Sequence, residues 1–179
     1  MRNYESYLSN TVRTIKPSGI RRFFDMASEM EGVISLGVGE PDFNTPWHIR
    51  EEAIYAIESG KTHYTANQGL LSLREEICSY MKRRFHLSYD AHDNVIVTVG
   101  GSEGIDIAFR ALLNPGDEVI LMQPSYVAYT PGVQLCHATP VYVELEEKDQ
   151  FKLTPEKLLA AITPKTKALL INFPSNPTG

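Results

Sequence analysis

Two patterns of apolar residues alternate along the chain, and each predicts a different kind of secondary structure. Spacings of three or four positions, which are typical of a helix with one buried face, run through five segments. These segments are Ile20–Ala27, Ile49–Ile57, Leu70–Met81, Ile105–Leu112 and Leu158–Ile162. Short runs rich in β-branched residues predict strands. The predicted strands are 33–36, 95–99, 118–122, 139–143 and 167–172.

Threonine, proline and glycine mark where the predicted helices begin and end. Thr45–Pro46 and Thr154–Pro155 each place a capping hydroxyl before a proline at the first helical position. One helix is expected to end at Gly60 and another at Asn114–Asp117, while Pro131–Gly132 is expected to interrupt a further helix. Strands that alternate with helices in this way indicate an α/β domain with a largely parallel sheet.

Composition and charge narrow the class of protein. Of the 179 residues, 42% are hydrophobic and 22% charged, as in ordinary soluble globular domains. No apolar run approaches the roughly 20 residues of a membrane span, and the N-terminus lacks the apolar core of a signal peptide, so a cytoplasmic protein without a membrane partner is expected. A net charge of −5 argues against nucleic acid as a partner. The basic clusters Arg21–Arg22 and Lys82–Arg84 are interpreted as solvated faces.

Cysteine and histidine give no sign of a disulfide framework or a metal site. Cys78 and Cys136 lie far apart and are expected to be reduced thiols. The 5 histidines have neither HxH nor HExxH spacing, so no metal is expected. Chemistry is therefore sought in the loops that follow the strands, because parallel sheets bind ligands at the carboxyl ends of their strands.

The first such loop, Gly100–Ser102, joins a predicted strand to a predicted helix. Unpaired N–H groups at a helix N-terminus attract a phosphate, and the Ser102 hydroxyl adds a donor. A tight turn with Ser102 as the N-cap explains the same residues equally well. No lysine follows the glycines as a P-loop requires, and Gly37–Asp42 does not fit the GxGxxG dinucleotide pattern.

Two further loops carry candidate ligand-binding residues. Tyr126 follows the strand 118–122, where its ring could stack on a planar cofactor, although a core tyrosine is the commoner outcome. The segment Pro174–Gly179 follows the last strand, and its prolines and glycine indicate a rigid turn from which Asn176 could direct an amide towards a ligand. Together the three loops would supply a phosphate anchor, a stacking ring and a polar amide.

Several motifs in register connect these loops to a known family. They are Leu36–Phe43, Tyr64, Gly100–Ser102, Asn114–Asp117 and Pro174–Gly179. Their order and spacing resemble class I aminotransferases of the pyridoxal-phosphate (PLP) fold type I, most closely the bacterial aspartate, aromatic and N-acetyl-diaminopimelate aminotransferases. The resemblance covers essentially the whole chain and corresponds to the N-terminal part of those enzymes. It implies a three-layer α/β/α fold with a mainly parallel sheet, present here incompletely.

The resemblance assigns cofactor-binding roles to individual residues. Gly101 and Ser102 would hold the PLP phosphate of the same subunit, and Tyr64 would reach the phosphate of the other subunit of a homodimer. Tyr126 would stack on the pyridine ring. Asn176 would hydrogen-bond the phenolic oxygen, next to a peptide bond that is often cis in the family.

The resemblance also implies a substrate contact, a domain division and a reaction. Gly39 would border the carboxylate of the substrate. Residues 1–45 would form an N-terminal arm and part of a small domain, and residues 46–179 the first part of the large PLP-binding domain. The implied reaction transfers an amino group between an amino acid and a 2-oxo acid.

The family's catalytic groups lie later in sequence than the Pro174–Gly179 motif, so no catalytic residue is expected in this chain. They are the Schiff-base lysine, the aspartate that pairs with the pyridine nitrogen, a tyrosine near the phenolic oxygen and the arginine for the substrate carboxylate. The chain's own lysines lie in polar segments and are expected to be exposed. We therefore expect that this polypeptide alone is not a transaminase. Strand 95–99 would lack its partner, which predicts a marginally stable or self-associating chain.

Other functions fit the same scaffold. A carbon–sulfur β-lyase or an enzyme similar to aminocyclopropane-carboxylate synthase would use it for a different reaction. The aminotransferase-like domain of a transcription regulator would need a DNA-binding helix-turn-helix, and the polar segment before Val33 is too short and insufficiently basic for one. A non-catalytic fragment that still binds phosphate is the remaining alternative.

Overall fold

The computed structural model describes residues 4–17, 19–34, 39 and 41–179. Short 3₁₀ turns occur at Tyr4–Tyr7 and Glu147–Asp149. The helices are α1 (Asn10–Thr14), α2 (Gly19–Ser28), α3 (Trp47–Glu58), α4 (Leu71–Phe85), α5 (Gly101–Leu112), α6 (Tyr129–Leu135) and α7 (Pro155–Ala161). The strands are β1 (Glu118–Gln123), β2 (Thr139–Glu144) and β3 (Thr166–Leu170). Within this part of the chain, no helix is both long and apolar enough to cross a membrane.

A parallel sheet of three strands, in the order β2-β1-β3, forms the centre of the fold. Ile120 on the middle strand lies opposite Val141 of β2 and Leu169 of β3. Because β1 is flanked on both sides, its Val119–Leu121 segment is essentially inaccessible to solvent. The strands predicted at 118–122 and 139–143 are confirmed, as is the α/β class with a parallel sheet; the strand predicted at 167–172 forms as well, but it ends at Leu170.

Two helices close the core over the sheet. Phe109 of α5 and Val133 of α6 are buried with Val119 and Leu121 of β1 in one apolar cluster. A Cβ added at Gly132 of α6 would come within 3.1 Å of the Phe109 ring, so the two helices pack closely. This packing fixes the helix that begins at Gly101.

The chain divides into two compact units, residues 1–18 with 99–179, and residues 19–98. The first holds the sheet, and the second holds α2, α3 and α4. In the second unit the guanidinium of Arg74, buried at 4% exposure, donates to the Gln68 side chain at 3.0 Å and to the carbonyls of Gly69 at 3.2 Å and Ala91 at 2.5 Å. Arg74 thereby joins α4 to two loops.

The strand predicted at 95–99 does not form. All of these residues are described, and no strand in the described ranges pairs with them. The Val97 N–H instead donates to the carbonyl of Gln68 at 3.0 Å, in a loop contact. A β-branched run is therefore not sufficient for a strand, because a strand requires a neighbour for its N–H and C=O groups.

Two predicted helix boundaries are also wrong. Helix α6 runs through Pro131 and Gly132, because it begins at Tyr129 and the proline occupies the first turn, where an N–H has no intrahelical acceptor. Helix α3 has Pro46 as its N-cap, in extended conformation and with no side-chain cap. In contrast, Thr154 caps α7 as predicted, with its hydroxyl accepting from the Lys157 N–H at 3.4 Å.

Some predictions fall partly outside the described residues. They are the strand 33–36, the motif Leu36–Phe43 and the solvated face at Arg21–Arg22, whose side chains are not described. The other basic cluster, Lys82–Arg84, is exposed in the last turn of α4, and Arg83 pairs with Glu76 at 2.8 Å. Both cysteines are free thiols.

Candidate functional site

The loops after β1 and β3 lie at the same edge of the sheet. The two strands are parallel neighbours, so their carboxyl ends, Gln123 and Leu170, leave the sheet on the same side. The peptide bonds that precede Pro124, Pro174 and Pro177 are cis, and the last of these is the bond that the resemblance implied. Two of the three predicted loops therefore meet at one place.

Tyr126, in the loop after β1, packs against Tyr129, the first residue of α6. Their ring centroids are 5.6 Å apart, with planes at 77°, the edge-to-face geometry that aromatic rings prefer. Tyr126 is 37% exposed, whereas Tyr129 is 8% exposed and belongs to the core cluster. The core-tyrosine alternative for Tyr126 is therefore wrong, since Tyr129 takes the core position and Tyr126 is exposed.

Asn172 lies two residues beyond β3 and connects the two loops. With its amide oriented so that both ends are satisfied, its oxygen accepts from the Tyr129 hydroxyl at 3.3 Å and from the Asn176 backbone N–H at 2.9 Å. Its nitrogen donates to the carbonyl of Pro174 at 3.2 Å. One half-buried amide thus holds the turn that carries Asn176 and contacts the first residue of α6.

A cavity of about 380 Å³ opens beside this connection. Its walls include Ser125 and Tyr129 from the β1 side and Asn172 and Ser175 from the β3 side. Phe151, in the segment that follows β2, lines it as well. The space is therefore mainly apolar, with hydroxyl and amide groups from both loops, and neither Tyr126 nor Asn176 lines it.

The third loop leads into α5. Gly100 is the N-cap, at φ 83°, and no side chain caps the helix, so Ser102 lies in the first turn and the alternative that made it the N-cap is wrong. The first N–H groups of a helix have no intrahelical acceptor. Atoms added at the Cβ positions of Gly100 and Gly101 would meet nothing within 4 Å. The Glu103 carboxylate accepts from the Val99 N–H, outside the helix. The space before Gly101 and Ser102 is thus open to an anion.

The remaining predicted site residues lie in the second unit. Tyr64 is fully exposed, at 107% of its reference area, and Gly39 is exposed as well. The lysines are exposed as expected, except for Lys157, which is half-buried and pairs with Asp149 at 3.2 Å. In the ranges that the structure covers, no three His, Cys, Asp or Glu side chains are grouped as metal ligands.

Comparison with known proteins identifies the class of protein to which this fold and these loops belong. A sequence model of the aminotransferase class I and II family matches residues 31–179. The chain therefore belongs to this family, and its α/β sheet is part of the PLP-transferase fold type I.

Individual relatives match over almost the whole chain. A Bacillus subtilis protein, YugH, whose name assigns it provisionally to the aminotransferases, is 58% identical over 174 residues, 97% of this chain and 45% of its own length. The aspartate aminotransferase of Pyrococcus horikoshii is 44% identical over 173 residues, 97% of this chain and 44% of that protein. The chain thus spans less than half the length of these relatives.

Solved structures agree with this assignment. A mutant of Thermus thermophilus aspartate aminotransferase superposes with a TM-score of 0.89 at 40% identity, over 100% of this chain and 47% of that one. The aspartate aminotransferase of Thermotoga maritima gives 0.90 at 36% identity, over 96% and 47%. The expected resemblance to the N-terminal part of aspartate aminotransferases is confirmed.

Sequence reasoning missed Asn172 and Tyr129. The predicted strand 167–172 ends at Asn172, and the sequence pattern gives Tyr129 no role. The available signal was a polar amide that ends an apolar strand, at the edge where ligands bind. Its partner could not be found from spacing, because the two residues lie far apart in sequence, with β2, α7 and β3 between them.

Proposed function

We propose that this chain forms the phosphate-binding and ring-binding part of a PLP-dependent aminotransferase. The whole protein would transfer an amino group between an amino acid and a 2-oxo acid, in the cytoplasm and as a homodimer. The observation that carries the proposal is the meeting of the Tyr126 and Asn176 loops at one sheet edge, in a chain of this family. The open, glycine-lined start of α5 fits a phosphate group.

Each of these groups does one task. The N–H groups of Gly101 and Ser102, with the Ser102 hydroxyl, hold the phosphate at the positive end of the α5 dipole. The exposed ring of Tyr126 covers one face of the pyridine ring. The Asn176 side chain, which is exposed, donates to the phenolic oxygen. When bound, the cofactor supplies the electron sink for the carbanion that forms as an amino acid loses its α-proton.

The second unit contributes two proposed contacts. Tyr64, whose side chain is fully exposed, reaches the phosphate of the partner subunit, so the site is shared across the homodimer. Gly39 borders the carboxylate of the substrate. No lysine of this chain is assigned to the cofactor: they are exposed, apart from Lys157, which pairs with Asp149. We also propose that residues 1–45 form an N-terminal arm and part of a small domain, and that residues 46–179 form the first part of the large PLP-binding domain.

Binding of pyridoxamine 5′-phosphate to the purified chain tests the proposal, because this compound carries the phosphate, ring and phenolic oxygen but no aldehyde that could react with surface lysines. Saturable binding is expected. Ser102→Ala and Asn176→Ala should each weaken it about tenfold or more, since a hydrogen bond to a charged group contributes about 1.5–3 kcal/mol. Ser79→Ala, which removes an exposed hydroxyl from α4, is the matched control and should bind like the parent.

Two results would contradict the proposal. One is the absence of saturable binding by a folded chain, and the other is unchanged binding by the Ser102→Ala variant. Amino transfer is a separate measurement. The 179-residue chain should show no turnover of an amino acid with a 2-oxo acid, and detectable turnover would disprove our expectation that it carries no catalytic residue.

A further inference from the structure

We propose that Asn172 and Tyr129 are a positioning pair that sets the geometry of Asn176 and Tyr126. This inference rests on the proposed function, because it assigns to two further residues the task of holding the amide and the ring that the cofactor would meet. Neither residue of the pair is proposed to touch the cofactor itself. Their role is to fix the loops after β1 and β3 relative to each other.

The pair is connected to Asn176 by hydrogen bonds from the Asn172 side chain to the backbone. The Asn172 oxygen accepts from the Asn176 N–H at 2.9 Å, and its nitrogen donates to the carbonyl of Pro174 at 3.2 Å. The turn is closed further along by the Gly179 N–H, which donates to the carbonyl of Ser175 at 2.8 Å. The Asn176 backbone is therefore fixed relative to the end of β3, and the direction of its side chain follows from that.

The pair is connected to Tyr126 by ring packing. Tyr129 is 8% exposed, and in this orientation of the Asn172 amide its hydroxyl donates to the Asn172 oxygen at 3.3 Å. The Tyr126 ring packs edge to face against the Tyr129 ring, with the ring centroids 5.6 Å apart. A shift of Asn172 would thus move both the amide of Asn176 and the support of the Tyr126 ring.

Coupling of this kind affects binding because functional groups act only within narrow limits. A productive site needs its groups held to within about 0.5 Å, and hydrogen bonds weaken steeply when their angle is poor. With one side chain, Asn172 satisfies three partners, two in the loop after β3 and one at the start of α6. Its loss would release the two loops together, which distinguishes this residue from an ordinary loop asparagine.

The test compares three variants with one control. Tyr129→Phe removes only the hydroxyl, Asn172→Ala removes the whole amide, and Asn172→Asp keeps an oxygen that accepts from both partners. Tyr142→Phe is the matched control, because its hydroxyl contacts Thr130 of α6 at 3.2 Å but belongs to another part of the sheet. The readouts are the NMR chemical shift of the Asn176 backbone N–H and the affinity for pyridoxamine 5′-phosphate.

The pair predicts a specific pattern. Asn172→Ala should move the Asn176 N–H resonance upfield, and Asn172→Asp should restore it. Tyr129→Phe and Asn172→Ala should each weaken pyridoxamine 5′-phosphate binding about 3- to 10-fold, as the loss of about one neutral hydrogen bond implies. The double variant should bind no more weakly than Asn172→Ala alone, since both changes remove the same connection. Tyr142→Phe should change neither readout.

Each outcome bears on one proposal. An unchanged Asn176 resonance in Asn172→Ala, additive losses in the double variant, or equal losses in Tyr142→Phe and Tyr129→Phe would overturn the positioning pair. If the parent chain binds no pyridoxamine 5′-phosphate, the proposed function fails, while the Asn176 resonance still decides whether the pair holds this loop. If Asn172→Ala does not fold, Tyr129→Phe decides by affinity alone, and a loss no larger than that of Tyr142→Phe would overturn the pair.

Discussion

Replacement of Gly69 by alanine should destabilise the unit formed by residues 19–98. Gly69 ends a turn in which its N–H donates to the carbonyl of Ala66 at 2.8 Å, and its φ is +92°. A Cβ at this position would lie 2.6 Å from the Cβ and 2.8 Å from the Cγ2 of Val97. The turn follows the loop of Tyr64 in sequence, so the substitution also tests how that loop is held.

Two energetic penalties add when Gly69 is replaced by alanine, and the same replacement at Gly60 separates them. A backbone conformation that L-residues avoid costs alanine about 1–3 kcal/mol, and overpacking costs about 1–3 kcal/mol more. Gly60 has a φ of +74° but open space around its Cβ position. Gly60→Ala should therefore carry the backbone penalty alone. The larger total for Gly69→Ala, about 2–6 kcal/mol, is a large part of the 5–15 kcal/mol that is typical of a domain.

Urea unfolding measures the difference. It can be followed by far-UV circular dichroism and by the fluorescence of Trp47, the 1 tryptophan of the chain, which lies in the same unit. With a slope of about 2 kcal/mol per molar, a difference of about 2 kcal/mol separates the two midpoints by about 1 M urea. In a Val97→Gly background, which lacks the contacted atoms, the two substitutions should cost the same. Equal midpoints for Gly69→Ala and Gly60→Ala in the parent chain would refute the reasoning.

Two further predictions concern the unit that holds the sheet. Leu121→Ala, at a fully buried position of β1, should lower the free energy of unfolding in urea by about 2–5 kcal/mol, whereas Leu159→Ala, 67% exposed on α7, should change it by no more than about 0.5 kcal/mol; similar losses would contradict the assigned core. The pKa of Glu156 is held below its ordinary value by its own backbone N–H and by the Thr154 hydroxyl. A lowered pKa in the folded state contributes stability above the unfolded pKa that is lost as the pH falls through the folded value. Glu156→Gln should therefore flatten the acid side of the stability–pH curve below about pH 4, and parallel curves would count against this assignment.

The sequence predicted the sheet well because its signal is local. Glu118–Met122 contains the apolar run Val119–Leu121, which the parallel arrangement buries, and Ala168–Leu170 is a similar apolar run on the half-buried strand β3; runs of this kind are recognised from composition alone. Residues 95–99 show the limit of this approach. They have the same composition, but whether they form a strand depends on a neighbour, and a pairing partner is not a property of the segment.

The candidate site was predictable only in part, for a related reason. From the sequence, Tyr126 is predicted to stack on a ligand, with a core position as the alternative, and the structure assigns the core position to Tyr129. Tyr126 and Tyr129 are three positions apart and have identical side chains, so composition does not show which ring enters the core. Only the path of the loop decides which one faces inward. The contact of Tyr129 with Asn172 depends on the β1–β3 pairing and could not have been predicted from spacing.

The three loops are consequently held by different forces. Those of Tyr126 and Asn176 are fixed by the ends of adjacent strands and by the Asn172 amide, all within one hydrogen-bonded sheet edge. No strand pairs with residues 95–99 in the described ranges, so the start of α5 depends on Phe109 in the core and on the Glu103 carboxylate at the Val99 N–H. Groups that are held by helix packing and one side-chain contact have fewer constraints than groups held by a strand. The proposed phosphate contact at Gly101 and Ser102 is therefore the part of the site that the sheet constrains least.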